Sequence, residues 1–120
     1  MELMERKMSD PRHSDDSKLH WMRAGILPHR NDLPLLKACE RLLTRGLPEH
    51  LRPDLVDVLF DYRPEWYKPA AVYVPPDRRQ ASPEAKDEMR RLGRLAFSAV
   101  ALTAEQKAAI EKAMSEIGAE

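Results

Sequence analysis

SPEAKDEMRRLGRLAFSAVALTAEQKAAIEKAMSEIG, residues 82–118, contains two complete helix start signals. The first is Ser-Pro-Glu, which supplies a capping hydroxyl, a first-turn proline and a carboxylate near the positive end of the helix. The second is Thr103 with Gln106, which have the spacing of a capping box. Apolar residues follow both starts at helical intervals, so the segment predicts a helical hairpin. We expect its helices to pack through Met89, Leu92, Ala96, Ile110, Ala113 and Met114.

The residues before this hairpin show two further apolar stripes at helical spacing. One predicted helix begins near Asp32 and the other near Pro53, since both positions suit a helix start. Gly25 and Gly46 are expected to end helices in the left-handed conformation that glycine adopts without strain. The first stripe is Leu35, Leu36, Cys39, Leu42 and Leu43, and the second is Leu55, Val56, Leu59 and Phe60. We place Leu42 and Leu59 at the centre of this half.

Between these halves lies a stretch unlike either, RPEWYKPAAVYVPP at residues 63–76, with four of the ten prolines and three of the seven aromatic residues. Proline fixes its own backbone angle and favours extended geometry in the residue before it. The stretch therefore predicts an extended strap across the helices. Its aromatic side chains have two open interpretations: they cover the core, or they form a binding surface.

These features predict a mainly α protein, with about four principal helices in two pairs joined by a Pro/aromatic-rich strap. We expect a flexible N-terminal segment over residues 1–16, because it is polar and interrupted by Pro11. Residues 17–120 are expected to form a single domain, since about 100–200 residues typically organise around one core. Within it, residues 17–62 form the first helical half, 63–81 the strap and 82–118 the hairpin.

Composition narrows the class of protein. Twenty basic and twenty acidic residues cancel, whereas domains that coat DNA by charge usually have a clear basic excess. A single cysteine, Cys39, allows no internal disulfide and suits a reducing compartment. The N-terminus lacks the apolar region of a secretory signal, and no apolar run approaches the roughly 18 residues of a membrane span. We therefore expect a cytoplasmic protein that does not enter a membrane.

No catalytic, cofactor or metal motif is present in the sequence. The four histidines are scattered without the spacing of metal ligands, and four glycines leave no phosphate-binding loop. Cys39 lies on an apolar helix face, where a buried thiol is expected and not a nucleophile. The sequence therefore predicts a protein that is not an enzyme, with no cofactor and no metal site.

The leading functional hypothesis is a small protein-binding module, acting as an adaptor, an inhibitor or a subunit of a larger assembly. A strap stiffened by proline loses little entropy on binding, and aromatic residues with arginine are common interface hot spots. The partner is expected to be another protein, and a homo-oligomer is also compatible with the sequence. The candidate partner-binding residues are Trp66, Tyr67, Tyr73, Arg78 and Arg79.

The alternative hypothesis is a nucleic-acid-binding regulator. Residues 63–94 contain eight basic residues against five acidic ones. Lys86, Arg90 and Arg94 recur every four residues, which places them on one face of the predicted helix. Such a stripe near aromatic residues could contact phosphates while bases stack. The same stripe is also typical of an ordinary solvated helix face.

Overall fold

The computed structural model describes the backbone of residues 2–61 and 76–118, and the side chains from residue 6 onward. These ranges are mainly helical and contain no strand, which confirms the predicted mainly α class. Within them the α-helices are α1 (Glu2–Ser9), α2 (Asp15–Ile26), α3 (Leu33–Arg41), α4 (Arg52–Phe60), α5 (Pro83–Ala99) and α6 (Ala104–Glu116). Most of the predicted strap, residues 63–75, lies outside the described residues.

Both start signals of the C-terminal hairpin form as predicted. The Ser82 hydroxyl accepts a hydrogen bond from the backbone N–H of Ala85 at 3.1 Å. At the start of α6, the backbone N–H of Gln106 donates to the Thr103 hydroxyl at 3.1 Å. The backbone N–H of Thr103 donates to Gln106 Oε1 at 2.9 Å. Each bond satisfies a backbone donor that the helix leaves unpaired. Local sequence therefore determines where these two helices begin.

Gln106 also connects α6 to α4. Its Nε2 donates to the Pro53 carbonyl at 3.0 Å and to Asp57 Oδ1 at 3.1 Å, and the residue is only 7% exposed. A buried amide is tolerated because its polar atoms have partners. The capping residue of α6 thus fixes the position of that helix on α4 as well as its start.

The described helices share one hydrophobic core. α3 packs against α5, α4 packs against both α2 and α6, and α5 packs against α6. Leu42 and Leu59 are 1% and 3% exposed, and they belong to the same buried cluster as Leu92 and Ile110. This arrangement differs from the expected two pairs. The apolar stripes of α3 and α5 face each other, so the two halves are buried against one another.

The N-terminal segment, expected to be flexible over residues 1–16, is helical from Glu2 to Ser9. Met8 is fully buried in the core. The Ser9 hydroxyl donates to the Gly46 carbonyl at 2.7 Å, and Lys7 Nζ lies 4.9 Å from the centre of the Trp21 ring. Burial of Met8 and these contacts supply the stabilisation that a short polar helix lacks alone. Residues 2–9 therefore form a helix that is packed on the core, and the flexibility expected for residues 1–16 stays a prediction.

The glycine stops form differently from the prediction. α2 continues through Gly25 to Ile26, and α3 continues as a π-helical turn from Leu42 to Gly46. The turn ends at Gly46 as expected, and the Leu47 N–H donates to the Leu42 carbonyl at 3.1 Å. Among the described glycines, only Gly118 has a left-handed backbone, with φ of 78°. A wider helical turn thus replaces the left-handed stop at Gly46.

Candidate functional site

The predicted partner-binding residues fall into three groups. Trp66, Tyr67 and Tyr73 lie outside the described residues. Arg79 is exposed, and its guanidinium pairs with Asp77 at 3.0 Å. Arg78 is 6% exposed, so its guanidinium lies inside the fold. The two adjacent arginines therefore have different surroundings, and only Arg79 presents its side chain to solvent.

Arg78 and Arg30 together cap the C-terminal end of α4. Arg78 Nη2 donates to the Leu59 carbonyl at 2.8 Å, and Arg30 Nη1 donates to the carbonyls of Val58 at 3.1 Å and Asp61 at 2.6 Å. The last carbonyls of a helix carry partial negative charge, which cations stabilise. Burial lowers the pKa of Arg78, while the Glu116 and Asp61 carboxylates oppose that shift. Both guanidiniums thus stabilise the fold.

Replacing Arg78 with alanine is expected to lower the free energy of unfolding by about 2–3 kcal/mol, because a buried charged hydrogen bond to Leu59 is lost. Arg79→Ala is the matched control, since it removes the exposed neighbour and should change stability by less than about 0.5 kcal/mol. Urea unfolding of the two variants measures the difference. Equal stability of the variants would contradict the structural role of Arg78.

A polar cavity of about 380 Å³ lies beside this cap, between the two ends of the segment that is not described. Its walls carry Arg30, Arg78 and Lys112 together with Asp61 and Glu116. Arg30 and Arg78 already donate to backbone carbonyls, and Arg79, which also lines the cavity, pairs with the Asp77 carboxylate. The described part of the wall thus combines cations with carboxylates, and its two buried arginines are engaged in capping α4.

The basic stripe of α5 is not uniform. Arg90 donates from Nη2 to the Gly118 carbonyl at 2.8 Å and from Nη1 to Asp87 Oδ1 at 2.7 Å, and its side chain is 23% exposed. It caps the end of α6 just as Arg78 caps α4. Arg94 is exposed, and within the described residues no carboxylate forms an ion pair with it. Lys86 is half-buried. The stripe thus offers fewer free cations than its spacing indicates.

An apolar groove runs along the outer side of the α5–α6 hairpin. Its volume is about 230 Å³, and its lining residues are Arg90, Gly93, Arg94, Phe97, Ile110 and Met114. The four residues from α5 have the spacing i, i+3, i+4 and i+7, which places them on one helix face. Phe97 is 46% exposed, and among the described residues no other large hydrophobic side chain is exposed. We call this surface the hairpin groove.

Gly93 lies where the α5 and α6 walls of the hairpin groove approach each other closely. A Cβ atom at this position would lie 3.3 Å from Ile110 Cγ2 and 3.4 Å from both Cε and Sδ of Met114. The distance to Ile110 is tighter than most Cβ contacts and those to Met114 are at the limit of ordinary van der Waals contact, so a side chain here would require these neighbours to shift by a few tenths of an ångström. A glycine inside a helix costs about 1 kcal/mol relative to alanine, and close packing explains its presence here.

Two carboxyl groups meet at the contact between α3 and α5. Glu88 is 4% exposed, and Arg91 Nη1 lies 3.5 Å from Glu88 Oε1 and 3.7 Å from Glu40 Oε2. Burial, followed by the hydrogen bond to Glu40 and the charge of that carboxylate, raises the pKa of Glu88 to about 7. Neither carboxyl lines the hairpin groove. The pair therefore affects the stability of the α3–α5 contact and is not positioned to act on a molecule in the groove.

The described residues contain no group of three or more His, Cys, Asp or Glu side chains that could hold a metal ion. None of the helices in these ranges is long and apolar enough to cross a membrane. Cys39 is fully buried, as expected for a small core thiol. The chain matches no family model, no curated protein and no solved structure.

Two features were missed in the sequence but left a signal there. Phe97 immediately follows Ala96, the end of the apolar stripe of α5, so its side chain is directed away from the core face. Glu88 lies four residues before Leu92 and next to Met89, which places a carboxylate on the buried face. The position of Phe97 outside the apolar stripe could have identified the groove. The position of Glu88 on the stripe could have identified the carboxyl pair.

Proposed function

We propose that this protein is a non-catalytic protein-binding module, acting as an adaptor, an inhibitor or a subunit of a larger assembly, and that the hairpin groove is its main contact surface. The exposure of Phe97 beside an apolar groove is the observation that carries this proposal. Exposed apolar patches on soluble proteins commonly mark interaction sites, and buried aromatic anchors dominate binding energy. Gly93, Ile110 and Met114 provide the apolar surface around Phe97.

The strap supplies a second contact surface in this proposal. Tyr67 and Tyr73 combine apolar area with a polar hydroxyl end. The exposed guanidinium of Arg79, close by in the sequence, adds a charged group that can form paired hydrogen bonds. Arg78 is left out of the proposed surface because it is buried against α4. The core-covering interpretation of Trp66, Tyr67 and Tyr73 remains the alternative for those side chains.

The test is affinity capture from the source organism with Phe97→Ser as the comparison. We expect the variant to retain its stability, because Phe97 is half exposed, and to bind the captured partner about 30-fold more weakly, as expected for loss of an aromatic hot spot. Ser98→Ala is the matched control, since Ser98 is the exposed neighbour on α5 and its hydroxyl donates to the Leu95 carbonyl of the same helix. Equal capture by both variants would contradict the proposed use of the groove.

Charge substitutions distinguish a nucleic-acid partner from a protein partner. Lys86→Gln removes a stripe cation that lies outside the hairpin groove and leaves the Arg90 cap on α6 undisturbed, and Tyr67→Ala with Tyr73→Ala removes strap aromatics. Phosphate contacts weaken steeply with salt, whereas an aromatic protein contact weakens little. We expect the strap variant to reduce binding more than the stripe variant. Loss of binding only in the stripe variant, with nuclease-sensitive capture, would favour a nucleic-acid partner.

A further inference from the structure

We propose that the partner element bound by the hairpin groove is an amphipathic helix that carries an acidic residue beside its apolar stripe. This inference rests on the proposed function, because it specifies the chemistry of a protein partner for the same surface. Three properties of the groove lead to it: its shape, its size and the distribution of charge on its rim.

The shape of the groove suits a helix. Its walls are two packed helices, which contribute residues at i, i+3, i+4 and i+7 from α5 and at i and i+4 from α6. An amphipathic helix laid into a hydrophobic groove uses anchors with this same spacing. Met114 forms part of the wall, and the flexible methionine side chain adapts its shape to different anchors. Gly93 and Phe97 on α5 and Ile110 and Met114 on α6 therefore provide the apolar contacts along the groove, with Arg90 and Arg94 beside them.

The size of the groove argues against a small-molecule ligand. Its volume of about 230 Å³ is below the range of about 300–1,000 Å³ that is typical of sites enclosing a small molecule. Phe97 lines the groove and is 46% exposed, so part of its ring adds apolar surface outside the groove. A partner that fills the groove with one or two side chains and covers Phe97 with its own surface uses both features.

The charge on the rim defines the polar face of the partner. Arg90 is engaged with Asp87 and the Gly118 carbonyl, so its guanidinium is already satisfied. Arg94 is exposed on the same helix face and forms no ion pair with a described carboxylate. An acidic side chain next to the partner's apolar stripe would pair with Arg94, whereas a basic one would be repelled. Binding to the groove thus depends on the charge of the residues beside the partner's apolar stripe as well as on its apolar area.

The experiment is a selection from a displayed library of stapled helical peptides of about 15 residues, long enough for a stable helix once constrained. The apolar stripe is fixed, and the flanking positions vary among acidic, basic and neutral polar residues. The protein is the bait, and peptides enriched on it are synthesised for binding measurements by fluorescence anisotropy. We expect the enriched peptides to carry Asp or Glu beside the stripe.

Two substitutions test where these peptides bind. Arg94→Glu is expected to weaken the enriched peptides about tenfold at about 0.05 M salt and less at about 0.5 M salt, because exposed charges are screened. Phe97→Ser is expected to weaken them about 30-fold at both salt concentrations. Arg45→Glu is the matched control, because it reverses an exposed arginine on the π turn after α3 and should leave affinity within about twofold.

Three outcomes would overturn the inference: no enrichment of amphipathic helices, equal enrichment of acidic and basic flanks, or unchanged affinity for the Arg94→Glu variant. Displacement of the selected peptides by decanoate, together with saturable decanoate binding to the wild type, would instead identify the groove as a site for a small amphiphile. If Phe97-dependent capture of a protein succeeds while the selection fails, the proposed function stands and only the helix assignment is wrong. If both fail, the groove is not the binding surface.

Discussion

Leu42→Ala and Leu59→Ala are each expected to lower the free energy of unfolding by about 2–5 kcal/mol, the usual cost of truncating a fully buried leucine. Leu42 is 1% exposed and Leu59 is 3% exposed, and both belong to the hydrophobic core cluster of the described helices. Removing their methyl groups loses apolar burial and leaves cavities that the closely packed neighbours cannot fill. A loss of this size is a large fraction of the stability of a small domain.

Urea unfolding followed by circular dichroism measures these losses. Leu33→Ala is the matched control, since Leu33 is in α3 like much of the stripe but is only partly buried and lies outside the core cluster. Its truncation should cost about 1 kcal/mol or less. If the Leu42 and Leu59 variants unfold at the same urea concentration as the Leu33 variant, the assignment of the core face is wrong.

Glu88→Gln is expected to stabilise the protein at pH 8 by as much as about 3 kcal/mol, which corresponds to the raised pKa of the buried carboxyl. Burial beside Glu40 raises the pKa of Glu88 from its ordinary value of 4.5 to about 7. Between these two values the folded state binds more protons than the unfolded state, so stability falls as pH rises. Above the upper value both states are ionised, and the loss is complete.

The glutamine variant lacks this ionisable group, so its advantage over the wild type should be small at pH 4.5 and reach its maximum above pH 7. Glutamine preserves the shape of the protonated carboxyl and keeps a donor for Glu40. Glu111→Gln, at an exposed position on α6, is the control and should change stability by less than about 0.5 kcal/mol. Unfolding measured across this pH range is the test. A pH-independent difference between wild type and Glu88→Gln would contradict the account of the carboxyl pair.

The parts of this fold that could be predicted are those with local causes. Ser82 and Thr103 start their helices through hydrogen bonds to residues three positions away, so their sequence spacing is sufficient. The leucine stripe of α3 similarly follows from helical periodicity. These signals depend on the chain near each residue, and tertiary packing reinforces them.

The parts that could not be predicted depend on distant contacts. Met8 orders α1 because it enters a core formed by residues far along the chain, and Ser9 reaches the Gly46 carbonyl. Arg78 is buried because the end of α4 presents carbonyls to it, whereas the sequence shows only two adjacent arginines. The hairpin groove likewise requires the approach of α6 to Gly93. None of these causes is local, so periodicity and capping rules do not detect them.

Site-specific photo-cross-linking determines whether Phe97 in the hairpin groove contacts another protein. A photo-reactive phenylalanine analogue is placed at residue 97 in one variant and at residue 98 in the matched control, and both are irradiated in cells of the source organism. We expect a covalent adduct with a protein at position 97 and little at position 98, because Ser98 lies outside the groove. Equal adducts at both positions, or none at position 97 from a folded variant, would contradict the claim.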